Sequence, residues 1–162
     1  MKIINITNNT KYLKKYIALC YLEWSEKEKK LTEYIDYKLR KLKIENNIIL
    51  ILGLVDHNKL VGFISLLKKD GDCEVKLTPW YATMYVKKEY RGRGYSRILN
   101  DALLEKSKRL GYTKVYLKSN LINYYEKFGR YLYKKIRKWW VIVLYWFIIN
   151  REFYFLSILT LH

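Results

Sequence analysis

The sequence predicts an α/β (α+β) fold in a single domain, and three features of the chain lead to that prediction. Two amphipathic helical patterns follow one another before residue 46. Two apolar runs separated by a short polar turn then predict a β-hairpin over residues 48–67. A strand, a glycine-containing loop, a helix and a further strand come next, which is the order of a right-handed βαβ unit. At 162 residues the chain is long enough for one domain and too short for two.

Composition and cysteine usage restrict the class of protein. A content of 51% hydrophobic and 29% charged residues is typical of a globular chain. Residues 1–6 lack the cationic start, long apolar core and cleavage site of a signal peptide, and we interpret them as a first strand. Cys20 and Cys73 stand far apart with no clustered histidine, so we expect neither a disulfide nor a metal site. A cytoplasmic location is the default expectation.

The net charge of +17 raises the question of nucleic-acid binding, because clustered Lys and Arg give such proteins their electrostatic footprint. Here, however, the lysines are spread along the whole chain and accompany many Ile, Asn and Tyr residues. A general bias in residue usage explains this distribution better than a nucleic-acid partner does. An anionic small ligand would benefit from the positive field in either case.

The two helical patterns each have one apolar face. The first begins after a cap at residues 8–10, where Asn and Thr side chains can accept backbone N–H groups. Its predicted inward face consists of Leu13, Tyr16, Ile17, Cys20, Tyr21 and Trp24. That of the second helix consists of Leu31, Tyr34, Ile35, Leu39 and Leu42. Tyr34 and Tyr37 could also line a groove, although tyrosines at helical spacing are more often core residues.

The hairpin follows the second helix. Residues 48–55 are a continuous apolar run, short enough for a strand buried on both faces. A turn at residues 56–59 and a returning strand at residues 60–67 complete it. His57 lies in that turn, where a polar residue usually has no catalytic role, and we do not assign it as a base.

A glycine-containing loop over residues 91–96 joins an apolar strand to a helix, whose predicted apolar face consists of Ile98, Leu99, Ala102, Leu103 and Leu110. Its glycines allow positive φ and the close approach of a ligand to the backbone. It stands at the positive end of a helix dipole beside Arg91, Arg93 and Arg97, which predicts a phosphate or pyrophosphate site. The dinucleotide pattern Gly-x-Gly-x-x-Gly fails at Arg97, and the Gly-Lys-Ser/Thr of a P-loop is missing.

Arg91, Gly94 and Ser96 instead fit the pattern Arg-x-x-Gly-x-small, and with this loop the chain resembles the GNAT superfamily of acyl-CoA-dependent N-acetyltransferases. The family loop ends in Gly or Ala, so Ser96 is a mild departure. Residues 78–86 look like the central strand of that family, and residues 124–129 look like its later Tyr-Glu-Lys-x-Gly element. The two motifs stand in the right order at the right separation.

The resemblance implies a GNAT-like fold: a mixed, mostly antiparallel twisted sheet with helices on both faces and a central pair of parallel strands that splay apart. It places the pantetheine arm of acetyl-CoA, the co-substrate, between those strands. It also implies that backbone N–H groups near Tyr85 and Val86, freed by a bulge, face the thioester carbonyl. The residues expected to bind the cofactor are Met84, Tyr85, Val86, Arg91, Gly92, Arg93, Gly94, Tyr95, Ser96 and Asn120.

The catalytic assignment also rests on the resemblance. Tyr125 aligns with the tyrosine beside the CoA sulfur in the family and is the candidate general acid, whereas Tyr124 would point elsewhere on a helix. We can place no Ser-His-Asp or Cys-His signature, which favours direct attack in a ternary complex over a covalent acyl-enzyme. We name no general base, because the central strand carries no carboxylate. A water relay to Glu74 or Glu89 is conceivable.

Beyond Gly129 the resemblance stops, so we divide the chain into a domain over residues 1–129 and an atypical basic and aromatic segment over residues 130–162. Residues 131–138 could still be a strand, but the apolar run at residues 139–149 lacks alternation. It is shorter than the ~20 residues that span a bilayer. It fits a strand buried on both faces, an interfacial membrane anchor or an out-of-frame remnant. We expect no closing strand pair of the family kind here, and weakened amine acetylation as a result.

The sequence thus predicts an N-acetyltransferase that moves an acetyl group from acetyl-CoA to a primary amine of a small molecule or peptide. Two alternatives stay open: an inactive module that binds acyl-CoA, and a basic nucleic-acid-binding protein. Peripheral membrane contact through the aromatic run also stays open, as does the choice between monomer and homodimer.

Overall fold

The structure, a computed structural model, describes residues 1–26, 29–70, 77–119, 131–136 and 139–145. The elements are strand β1 (Lys2–Asn5), helices α1 (Thr10–Trp24) and α2 (Leu31–Glu45), strands β2 (Ile48–Asp56), β3 (Lys59–Leu67) and β4 (Trp80–Val86), a 3₁₀ turn (Lys88–Tyr90), helix α3 (Tyr95–Arg109), and strands β5 (Lys114–Ser119), β6 (Tyr131–Ile136) and β7 (Trp139–Tyr145). These strands form one sheet in the order β1-β2-β3-β4-β5-β7-β6. Only β4 and β5 are parallel neighbours, so the predicted mixed, mostly antiparallel sheet is confirmed.

One face of the sheet is covered by α1 and α2. The side chain of Asn9 caps α1, as predicted, by accepting the backbone N–H of Tyr12 at 3.2 Å. Behind this cap, α1 buries Tyr16 and Ile17 against β2 and β3. The predicted inward face is wrong for Trp24, which is 52% exposed because the helix ends there and its ring meets only the edge of the core. The apolar face of α2 is only partly buried.

The opposite face is covered by α3, which buries Leu99, Leu103 and Leu104 against the sheet. Two residues of its predicted apolar face, Ile98 and Leu110, are instead about half exposed. A helix turns about 100° per residue, so the burial of Leu99 directs its neighbour Ile98 away from the sheet. Leu110 lies beyond the last helical residue, in the C-cap. Helices on both faces are therefore confirmed, with a narrower apolar stripe on α3 than predicted.

The centre of the sheet is irregular in β4. The register shifts so that Thr83 and Met84 together stand opposite Ile64 of β3, which is a β-bulge. Thr83 adopts φ 52°, a conformation that β-branched residues rarely occupy. The bulge that the family resemblance implies is therefore present, one residue before Tyr85.

The parallel strands β4 and β5 separate at this bulge. Their described pairing is confined to Trp80 and Tyr116, next to a hydrogen bond of 2.9 Å from the Tyr116 N–H to the carbonyl oxygen of Pro79. Toward Val86, the other end of β4, no pairing with β5 is found among the described residues. The splayed central pair is confirmed, and among the described residues it leaves a gap between the strands beside Val86.

The segment after Gly129 contradicts one expectation. β6 and β7 form an antiparallel pair, and β7 pairs with β5, so a closing pair of strands is present after Gly129. The lack of alternation at residues 139–149 predicts against such a pair, and this prediction is wrong. Alternation is expected only of a strand with one solvated face. β7 pairs with a strand on each edge, and its aromatic and aliphatic residues have high strand propensity, so it can form without alternation. Residues 146–162 lie outside the described part of the chain.

Candidate active site

A cleft of about 370 Å³ opens where the end of β4, the loop after it and the end of α1 meet. Eight of the residues predicted to bind the cofactor line it: Met84, Tyr85, Val86, Arg91, Gly92, Gly94, Tyr95 and Ser96. The other described residues of the lining are Glu23, Trp24 and Tyr90, which sequence reasoning did not assign to the site. Arg93 belongs to the same loop but not to this lining, and Asn120 lies outside the described residues.

The loop presents bare backbone to the cleft. Gly92 and Gly94 both adopt φ 75°, and a Cβ atom built on either would meet nothing within 4 Å. Gly94 is the N-cap of α3, and no side chain caps the first N–H groups of that helix. These N–H groups and the positive end of the helix dipole favour an anion in the open space before them. The loop thus fits the phosphate site that its sequence predicts.

Arg91 is turned inward across the loop. Its Nε donates to the carbonyl oxygen of Val86 at 2.8 Å, and its guanidinium lies 3.8 Å from the carboxylate of Glu23. The same group lies 5.9 Å from the centre of the Tyr85 ring. One side chain therefore ties the loop to both β4 and α1. The conformation of the loop depends on Arg91 as well as on its glycines.

The other two arginines of the predicted phosphate site lie on the surface. The guanidinium of Arg93 is 5.8 Å from the centre of the Tyr90 ring. Arg97 is 87% exposed and lies 3.9 Å from Asp101, one turn further along α3. Both can add to the positive field near the loop, but only Arg91 connects the loop to other elements through the contacts described above.

One backbone amide of β4 is directed into the gap. The N–H of Lys87 donates to the carbonyl oxygen of Val61 at 2.9 Å, and N–H groups along a strand point alternately to its two sides. The N–H of Val86 therefore points away from β3, toward the space left by β5. Its carbonyl oxygen points the same way and accepts from Arg91. Tyr85, which pairs with Phe63, directs its amide to β3 by the same rule.

A column of aromatic rings supports this end of β4. The rings of Tyr16 and Phe63 meet edge to face at 4.7 Å, and Phe63 stacks on Tyr85 at 5.3 Å. Trp24 contacts Tyr85 from the side at 6.0 Å. The position of Tyr85 is therefore set by α1 through Phe63 of β3.

A buried cluster of hydroxyl and thiol groups lies beneath the bulge. The Tyr16 hydroxyl lies close to the side chains of Thr83, Ser65 and Cys20. Ser65 donates to the carbonyl oxygen of Ala82 at 2.9 Å. Burial raises the pKa of Tyr16 well above its usual range, and burial raises the pKa of the Cys20 thiol to about 12. Both groups stay protonated at neutral pH, so the cluster beside the strained Thr83 is uncharged.

Glu23 and Trp24 could hardly be found from the sequence. A glutamate in the last turn of a helix normally faces water, and Trp24 fits the periodic apolar face. The structure brings Glu23 close enough to Tyr85 that, after burial, its charge is the largest cause of a raised Tyr85 pKa. The sequence offered one clue to Glu23: β4 carries no carboxylate, so any carboxylate in the cleft has to come from another element.

The remaining candidates lie elsewhere or cannot be placed. Tyr34 and Tyr37 of α2 line a separate cleft of about 200 Å³ together with Ser25, Glu26 and Lys29, which lie between the two helices in the chain. His57 is 91% exposed in the β2–β3 turn, where Nδ1 lies 3.1 Å from Asp56. Glu89 is outside the lining of the larger cleft. The remaining candidates, outside the described residues, are Tyr124, Tyr125 and Glu74.

Two general features of the described residues bear on the class of protein. They contain no cluster of three or more His, Cys, Asp or Glu side chains arranged to hold a metal ion. None of the helices placed by the structure combines the length and apolarity needed to cross a membrane.

Comparisons with solved structures agree on the fold. The PaiA N-acetyltransferase from Thermoplasma acidophilum in complex with coenzyme A is 18% identical with a TM-score of 0.58, over 90% of this chain and 100% of that one. The aminoglycoside 6'-N-acetyltransferase from Enterococcus faecium is 16% identical with a TM-score of 0.63, over 90% and 97%. A GNAT family acetyltransferase from Brucella melitensis in complex with acetyl-CoA is 14% identical with a TM-score of 0.58, over 90% and 87%.

At the level of sequence, no protein of curated function matches the chain. The model of the Acetyltransferase (GNAT) family matches residues 12–129, which contain nearly all of α1 and the whole of α2, the bulged strand and the loop at Gly94. This match covers most of the chain and both sides of the cleft. The chain belongs to the GNAT family of acetyltransferases.

Proposed function

We propose that the protein is an N-acetyltransferase that transfers the acetyl group of acetyl-CoA to a primary amine of a small molecule or peptide. The proposal rests on the open space before the backbone N–H groups of residues 92–96, which we call the cradle. The cradle faces the same cleft as the outward amide of Val86. Membership of the GNAT family supports it, and solved structures of the same fold contain CoA or acetyl-CoA.

The residues of the loop would hold the pyrophosphate of acetyl-CoA. The N–H groups from Gly92 to Ser96 are donors at a helix N-terminus, and the field of Arg91, Arg93 and Arg97 adds attraction. The end of β4 would hold the pantetheine arm along Met84, Tyr85 and Val86. Asn120, on the basis of the family resemblance, would contribute from the opposite side.

When bound, acetyl-CoA supplies an activated thioester. The acceptor nitrogen, after losing one proton, forms a bond to the carbonyl carbon as the carbon–sulfur bond breaks. The N–H of Val86, which points away from β3, would donate to the carbonyl oxygen as negative charge develops on it. The nitrogen releases its second proton to water. The departing sulfur takes one proton from the hydroxyl of Tyr125, a role that we assign from the family resemblance, and water returns a proton to Tyr125. No covalent acyl-enzyme is needed.

The acceptor is defined here only as an amine. The family relative from Enterococcus faecium acts on aminoglycosides, so these compounds belong in a panel of acceptors. Small monoamines, diamines and peptides with a free amino terminus complete the range that the proposal covers.

Two assays on the purified protein test the proposal. Titration calorimetry with acetyl-CoA should show binding, and release of free CoA thiol should become faster when an acceptor from the panel is added. Binding without amine-dependent release would indicate an inactive acyl-CoA-binding module. Failure to bind acetyl-CoA, together with salt-sensitive binding of an oligonucleotide that CoA does not affect, would contradict the proposal.

A further inference from the structure

The larger cleft has one carboxylate among its described lining residues, and it comes from α1 and not from the cofactor loop. Glu23 lies in the last turn of α1 with 37% of its side chain exposed. Its nearest described cation is Arg91, at 3.8 Å, which is longer than the 2.7–2.9 Å of a charge-assisted hydrogen bond. An ionised carboxylate offers roughly four acceptor positions, so Glu23 can bind another donor from within the cleft.

Trp24, the next residue, offers an aromatic surface at the same place. Its ring is 52% exposed, although side-on contacts with Phe63 at 6.4 Å and Tyr85 at 6.0 Å fix its position. A large aromatic ring held in place yet exposed to a cleft is a surface for a cation or an apolar group. A carboxylate beside such a ring is complementary to an ammonium group.

The overall positive charge of the protein gives the Glu23 carboxylate a specific importance for a cationic acceptor. A net charge of +17 repels a cationic acceptor from most of the surface. A local carboxylate offsets that repulsion at the point where the acceptor must bind. The nitrogen that attacks the thioester must be neutral, so a carboxylate that stays ionised would serve a second, protonated nitrogen of the same molecule.

Resting on the proposed function, we propose that Glu23 and Trp24 form an acceptor subsite for a second ammonium group, and that the preferred acceptors are diamines or polyamines. The reacting amine lies toward Val86, and the distal ammonium lies between the Glu23 carboxylate and the Trp24 ring. Glu23 is then a specificity-determining residue of the acceptor side. The subsite distinguishes acceptors by charge and leaves acetyl-CoA binding to the loop.

The test uses a pair of amines that differ only in the second nitrogen, 1,5-diaminopentane and 1-aminopentane. Binding of each to the protein saturated with CoA is measured by calorimetry, and thiol release from acetyl-CoA gives KM and kcat for each. The diamine should bind roughly ten- to a hundred-fold more tightly, the effect expected of one charge-assisted hydrogen bond. In Glu23→Gln this preference should fall to about threefold or less, whereas acetyl-CoA affinity should change by no more than about threefold.

Three further variants make the result specific. Glu33→Gln removes the same charge from the first turn of α2 and should leave the preference unchanged. Glu23→Asp keeps the charge and should retain part of the preference, and Trp24→Leu should lower it severalfold. Equal binding of the two amines, binding of neither, or an unchanged preference in Glu23→Gln would overturn the inference. If wild-type protein fails to bind acetyl-CoA at all, the proposed function falls first.

Discussion

The two sides of the cleft are built in different ways. The proposed donor side is one continuous stretch, residues 84–96, in which a strand end, a glycine loop and a helix start follow each other. The proposed acceptor side is formed where the end of α1 meets that stretch, through Glu23 beside Arg91 and Trp24 beside Tyr85. A site made from consecutive residues leaves a motif in the sequence. A site made by packing of distant elements leaves none.

The largest effect is expected from Gly94→Asp on the donor side. The side chain would enter the open space before the α3 N–H groups, and its carboxylate would repel the pyrophosphate. We expect acetyl-CoA binding to be lost in calorimetry while the circular dichroism spectrum keeps its folded form.

Gly111→Asp is the matched control for this substitution. Gly111 also has a positive φ, 87°, and open space around a Cβ atom, but it lies at the other end of α3. It carries similar backbone strain and the same added charge, and should bind acetyl-CoA normally. Equal binding by wild type and the folded Gly94→Asp protein would rule out this donor site.

A second prediction concerns chemistry rather than binding. Tyr125→Phe should keep acetyl-CoA affinity and slow turnover by roughly ten- to ten-thousand-fold, the range for loss of a general acid. Tyr124→Phe should have a much smaller effect. Steady-state thiol release with a saturating amine measures both variants, and similar rates for the two would show that the assignment is wrong.

The parts of the fold and of the site that could be predicted from the sequence are those that depend on local contacts. The hairpin β2–β3, the capped helix α1 and the loop at Gly94 were predictable, because each depends on near neighbours in the chain. The bulge in β4 was expected only from the family resemblance. The inward turn of Arg91 was not, since it depends on the carbonyl of Val86 and on Glu23. The closing strands could not be predicted for a related reason. They depend on the pairing of β7 with β5 and β6, which the pattern of β7 alone does not show.

A third prediction separates charge from geometry at the junction of the two sides. Arg91→Lys keeps the positive charge but loses the planar group that donates to Val86 and approaches Glu23 together. We expect acetyl-CoA affinity to fall roughly tenfold, about the value of one hydrogen bond to a positioned loop. Arg97→Lys, at an exposed position, should change it less than about twofold. Equal effects would mean that Arg91 acts through charge alone.

The smallest effect is expected beneath the bulge. Tyr16→Phe removes one hydroxyl from the cluster around Thr83 and should lower the free energy of unfolding by about 1–3 kcal/mol. Turnover should fall only roughly three- to fivefold, because Val86 is slightly less well positioned, with acetyl-CoA affinity nearly unchanged.

Tyr12→Phe is the matched control for Tyr16→Phe. Tyr12 lies one turn earlier on α1, and both tyrosines are 8% exposed. Urea unfolding and thiol release compare the two variants. Hydrogen exchange at the amides of β4 should become faster in Tyr16→Phe only. A loss of stability without a loss of turnover would reduce the Tyr16 hydroxyl to a purely structural role.

Amide NMR during a titration with CoA tests the division into two sides most directly. Uniformly ¹⁵N-labelled protein should show its largest shift changes at Gly92, Gly94, Ser96 and Val86, the amides of the cradle and the outward amide of β4. Subsequent addition of 1,5-diaminopentane should shift the indole N–H of Trp24 and the amide of Glu23, and should leave the cradle largely unchanged. Changes spread evenly over the lysine-rich surface, or absent from the amides of Gly92 and Gly94, would contradict the account.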